Sequence, residues 1–75
     1  MNKNSWINDA VKIEFEVTPG MKNLMDLCEK AASDEDYSYF NYEEALDLAC
    51  KEMVVIGKMT QKQWDMIEER YGSYD

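Results

Sequence analysis

Histidine is missing from this 75-residue chain. With it go the commonest general base, the Ser-His and Cys-His nucleophile systems and the commonest metal ligand. Basic residues are scarce, eight against sixteen acids, for a net charge of -8. An anionic surface repels phosphate, because nucleic-acid binding draws its affinity from Lys and Arg. Direct binding of DNA or RNA is therefore not expected, and neither is attraction to an anionic membrane. Long apolar runs are absent too: the longest uninterrupted one is Met53 to Ile56, against the roughly 20 residues that a bilayer span requires. No signal-peptide-like stretch stands near the N-terminus, so the expected location is cytoplasmic. The two cysteines, Cys28 and Cys50, each fall on the apolar face of a predicted helix and read as buried free thiols of a reducing compartment, with a disulfide as the alternative. The single proline and the three glycines, Gly20, Gly57 and Gly72, sit at helix boundaries, and no Walker or dinucleotide fingerprint includes them.

What is present suits one small folded domain spanning residues 1–75. Hydrophobic residues make up 45% and charged residues 32% of the chain, ordinary proportions for a globule. A chain this short buries only about 60 to 65% of the surface its unfolded form exposes, so it builds one core and is marginally stable.

Along the chain, Val11, Ile13, Phe15 and Val17 alternate with Lys12, Glu14 and Glu16. Period two with β-branched and aromatic residues predicts a half-buried strand; a helix from Ser5 is the competing reading. A lone strand needs a partner for its backbone groups. Three are open: Lys3 to Ile7 folded back through an Asn8-Asp9 turn, the same strand of a second copy, or the sheet edge of another protein.

Thr18-Pro19 then opens a helix to about Ala32, with Thr18 as N-cap and Pro19 at the first helical position. Its apolar stripe is Met21, Leu24, Met25, Leu27, Cys28 and Ala31. A second helix is predicted from Asn41, with Glu44 three residues on in a capping-box-like pair. Tyr42, Ala45, Leu46, Ala49, Cys50 and Met53 face inward, Glu43, Asp47 and Lys51 face out, and Gly57 is the stop. A third helix begins at Thr60, with Gln63 completing a capping box, and turns Trp64, Ile67 and Tyr71 inward. The expected fold is α+β and mostly helical: one N-terminal strand or short hairpin followed by three helices.

The unusual stretch is Ser33 to Asp47, which holds six carboxylates and four aromatics and no Lys or Arg. Residues 26–52 as a whole carry nine acids against two bases, so most of the net charge lies there. Asp34-x-Asp36-x-Ser38 starts like an EF-hand loop and then fails, with Tyr39 at the sixth position and Ala45 at the twelfth. No metal or cofactor is implied, and a helical chain of this size has little room for the cleft that a catalytic carboxylate pair needs.

Tyrosines among carboxylates combine rigid anchors with long-range attraction to a basic surface. The stretch reads either as core tyrosines with a solvated acidic rim or as a contact surface. In the second reading Asp34, Glu35, Asp36, Glu43, Glu44 and Asp47 stand in for phosphates, and Tyr37, Tyr39 and Tyr42 take places normally held by bases. In size, acidity and lack of catalytic groups the chain resembles small inhibitors carried by phages and mobile elements, including nucleic-acid mimics and anti-CRISPR proteins. The resemblance is one of composition and implies a non-enzymatic inhibitor whose partner is a basic, nucleic-acid-binding protein. The alternative is a structural or regulatory module that forms a homodimer through the N-terminal strand or a helix face.

Overall fold

Thr18 sets the first helix as its sequence predicts. Its Oγ1 accepts the Met21 N–H at 3.2 Å, and Pro19 occupies the first turn, where an N–H would have no partner. The computed structural model describes residues 6–72. They form three helices, α1 (Pro19–Ser33), α2 (Tyr39–Val55) and α3 (Gln61–Tyr71). Thr60 and Gln63 cap α3 reciprocally: Thr60 Oγ1 accepts the Gln63 N–H at 3.1 Å, and Gln63 Oε1 accepts the Thr60 N–H at 2.9 Å.

α1 and α2 end on one hydrogen-bond pattern. At the end of α2, Lys58 N–H reaches Met53 O (2.8 Å) and Gly57 N–H reaches Val54 O (3.1 Å). At the end of α1, Asp36 N–H reaches Ala31 O (2.8 Å) and Glu35 N–H reaches Ala32 O (3.2 Å). This is the Schellman arrangement, which needs a left-handed residue at its pivot. Gly57 takes that place with φ +81°, but in α1 the pivot is Glu35, with φ +56°.

Among the described residues there is no strand, which corrects the α+β expectation to an all-helical one. The alternation in residues 11–17 is nevertheless real: Val11, Ile13, Phe15 and Val17 are half-buried and Lys12, Glu14 and Glu16 are exposed. The segment is an extended arm laid against the helices. Period two reports which side chains face inward and says nothing of whether a neighbouring strand exists to pair with. The turn at Asn8 forms, with Val11 N–H to Asn8 O at 3.2 Å and Ala10 N–H to Asn8 Oδ1 at 3.1 Å. Of the pairing segment Lys3 to Ile7, residues 3–5 lie outside the described residues, and Ile7 is in the core at 5% exposure.

α2 packs against both α1 and α3. It starts two residues before the expected Asn41, at Tyr39, and Ser38 makes no side-chain cap; the Asn41-Glu44 pair lies within the helix and caps nothing. Tyr39 is the reason for the early start, since its burial ties the first turn to the core. Its one hydroxyl proton is shared between the carbonyls of Tyr71 (2.5 Å) and Trp6 (3.0 Å), joining the start of α2 to the end of α3 and to the arm. Around it, Leu46, Ile67, Cys28 and Cys50 are the other large side chains that are fully buried. Both cysteines are free thiols, and burial, reinforced by nearby carboxylates, pushes each up to about 12, which leaves them unreactive at neutral pH.

Candidate functional site

The residues expected to form one acidic-aromatic surface are divided among four surroundings. Asp34, Glu35, Asp36 and Tyr37 form an exposed loop between α1 and α2. Its shape is held from within: besides the Schellman bonds, Asp36 Oδ1 accepts the Ser38 N–H at 2.9 Å, and Asp34 pairs with Lys30 at 3.0 Å. The Asp34 and Asp36 oxygens of the EF-hand-like opening thus engage their own chain. Glu35 is carried outward on its left-handed backbone. Tyr37 is 77% exposed, although its ring leans on Trp6 at 5.7 Å between centroids.

Tyr39, expected as a surface anchor, is instead a core residue at 0% exposure. Tyr37 and Tyr39 flank one serine, so local composition cannot tell them apart; the ring that reaches Tyr71 and Trp6 is the one that is buried. Trp6, Tyr39 and Phe40 form a cluster with centroids 4.9 to 5.4 Å apart, Trp6 tilted against both other rings and Tyr39 edge-on to Phe40. Tyr42 is half-buried against the core.

Glu43 and Asp47, expected to face out, are half-buried, and Asp47 meets α3. Asp47 Oδ1 accepts the Trp64 indole N–H at 2.8 Å. Next to it, the hydrogen bond to Asp47 raises the Glu68 carboxyl to about 7, with burial and the charges of Asp47, Glu43 and Asp65 adding to the shift. Glu44 stands apart from all of these on the solvent side of α2.

The strongest polar cluster involves none of the expected residues. Arg70, the chain's one arginine, puts Nε and Nη2 on Glu29 Oε2 at 3.3 and 2.8 Å and donates Nη1 to Val11 O at 2.8 Å. Tyr71 Oη donates to the same Glu29 oxygen at 2.8 Å, and Arg70 O accepts the Asn8 N–H at 2.8 Å. One side chain therefore fastens the arm to α1 and α3. Burial is the largest single influence and lowers the Arg70 pKa, but the hydrogen bonds and charges of Glu29 and Tyr71 together outweigh it and the net shift is upward. A planar guanidinium can satisfy carboxylate and carbonyls together and a lysine cannot; a lone Arg on the Ile67-Tyr71 side of a predicted inward face was the available signal.

Beside this clasp a groove of about 840 Å3 runs between the arm and α1, lined by residues that include Ile13, Phe15, Val17, Lys22, Met25 and Arg70. The Asp47–Glu68 pair is not part of it. Glu68, the carboxyl raised to about 7, is not among the residues that line this groove.

The described residues and these groups define a bundle of three helices with an arm preceding α1, an outward acidic loop and an internal arginine clasp. Comparison of the chain with protein-family models, with curated proteins and with solved structures finds no match among any of them. No helix among the described residues is long and apolar enough to cross a membrane.

Proposed function

We propose that the protein works by binding, as a non-enzymatic inhibitor whose acidic loop enters a basic groove that otherwise holds nucleic acid. The observation that carries this reading is the exposed loop Asp34 to Tyr37. There the carboxylates of Glu35 and Asp36 and a 77% exposed tyrosine are presented on a backbone already fixed by its own hydrogen bonds, so little ordering entropy is lost on contact. Lys30 offsets Asp34, which leaves Glu35 and Asp36 as the phosphate-like charges and Tyr37 as the anchor. Tyr39, Tyr42, Glu43 and Asp47 support the fold and are not in the contact surface. The chain's net charge of -8 draws a basic partner from a distance and repels free nucleic acid.

The test is capture of partners from a bacterial lysate supplied with nucleic-acid-processing effectors, followed by affinity measurements across salt. Binding should weaken steeply as salt rises, fall in Glu35→Gln/Asp36→Asn and in Tyr37→Ala, and be displaced by an oligonucleotide that occupies the partner's groove. Affinity indifferent to salt and to the loop variants rejects the reading.

A further inference from the structure

α2 carries apolar side chains on the side that faces neither α1 nor α3. Leu48, Val55 and Ile56 are 60%, 74% and 60% exposed, and Ala45, expected to point inward, is exposed beside them. Tyr39, Leu46 and Cys50 occupy the opposite side. A helix with apolar residues on both sides is one that its own chain has only half covered. Asn41, Leu48 and Val55 recur at seven residues, close to two helical turns, and so line up along the outward face.

In a molecule of net charge -8 the exposed charges along α2 and just past its end are balanced, since Glu44 and Glu52 are matched by Lys51 on the helix and by Lys58 after the Gly57 turn, and all four are exposed. Glu44 and Lys51 also lie seven residues apart, on one flank of the apolar line. Neither belongs to an ion pair found among the described residues. Two copies of an acidic protein repel at long range, and a neutral, apolar strip is where that repulsion least opposes contact.

We infer that the outward face of α2 is a self-association surface, on which a second copy docks antiparallel about a two-fold axis at Leu48. In that register Leu48 meets the partner's Leu48, Asn41 lies opposite the partner's Val55, and Glu44 lies opposite the partner's Lys51. The two-fold repeats each pair, so the charge contact occurs twice. α2 is about 25 Å long at 1.5 Å per residue, and a contact of that length falls at the small end of specific interfaces, below about 1,200 Å2 in total. The dimer is accordingly reversible and concentration-dependent. It uses none of the loop Asp34 to Tyr37 and stands independently of the proposed function.

Sedimentation equilibrium on the full chain from micromolar to millimolar concentration tests it, with far-UV circular dichroism as the check on folding. The wild type is expected to show a monomer–dimer equilibrium and Leu48→Asp to remain monomeric. Glu44→Lys and Lys51→Glu each turn two attractive contacts into repulsive ones and weaken association about tenfold or more. An equimolar mixture of those two variants recovers it, because every contact between unlike copies is then attractive; the double exchange in one chain recovers it likewise. A wild type that stays monomeric throughout overturns the inference. So does a dimer that Leu48→Asp leaves intact, or a mixture no stronger than its components.

Discussion

Glu35→Gly should stabilise the protein, although it deletes a charged side chain and adds no contact. Glu35 is the pivot of the α1 terminus with φ +56°, the position that Gly57 fills for α2 with φ +81°. A residue with a Cβ pays about 1–2 kcal/mol in that left-handed region. Glycine removes the strain but enlarges the unfolded ensemble by about 0.4–1 kcal/mol, so the net gain is about 0.5–1 kcal/mol. In a domain of this size that raises Tm by about 4 °C.

Glu35→Ala is the control, since it removes the same carboxylate and keeps the strain, and it should leave stability near that of the wild type. Gly57→Ala should run the other way and lose about 1 kcal/mol. Urea and thermal unfolding followed by far-UV circular dichroism read all three. If Glu35→Gly is no more stable than Glu35→Ala, the left-handed pivot carries no strain and the account of this helix end is wrong. Both variants should weaken binding of a basic partner equally, because contact depends on the carboxylate and stability on the Cβ.

Tyr39→Phe keeps the packing but leaves the Tyr71 and Trp6 carbonyls without their donor, which should cost about 2 kcal/mol and lower Tm by roughly 10 °C; an unchanged melting curve would show that the hydroxyl does not join the three segments. Arg70→Lys should loosen the arm ahead of the helices, read as faster tryptic cleavage after Lys12 while α1 to α3 keep their hydrogen-exchange protection. Equal cleavage rates in the two proteins would remove Arg70 from that role. Glu68, with its pKa raised to about 7 when folded, binds its proton more tightly in the folded than in the unfolded chain. Its contribution is therefore fully present below the ordinary carboxyl range and is lost as pH rises through about 7; for so exposed a group that is roughly 1 kcal/mol after solvent screening. The Trp64 indole N–H resonance should titrate near pH 7 in the wild type and not in Glu68→Gln, and a titration that survives the substitution assigns it to another group.

The helices and two of their three starts were legible because a cap closes within four residues of chain. Thr18-Pro19, Thr60 with Gln63, and Gly57 act on their own neighbours, and the folded chain uses them as read. The inward set of residues 11–17 was legible for a similar reason, as alternation is a property of extended backbone. The strand itself was not, since pairing requires a second segment and no local pattern guarantees one. The start of α2 was misplaced because Asn41 and Glu44 have the chemistry of a cap, while burial of Tyr39 two residues earlier decides the matter.

The candidate site divides along the same line. Sequence alone determined that this protein is acidic and without histidine, and that its charge and tyrosines crowd into one stretch, because composition and linear density survive any folding. Only the tertiary structure decided that Tyr39 is core while Tyr37 is surface, that Asp47 holds Trp64, that Arg70 fastens an arm some sixty residues away in the chain at Val11, and that Leu48 and Val55 point at solvent. The physical reason is that burial and long-range hydrogen bonds are set by which distant groups fill the neighbouring space.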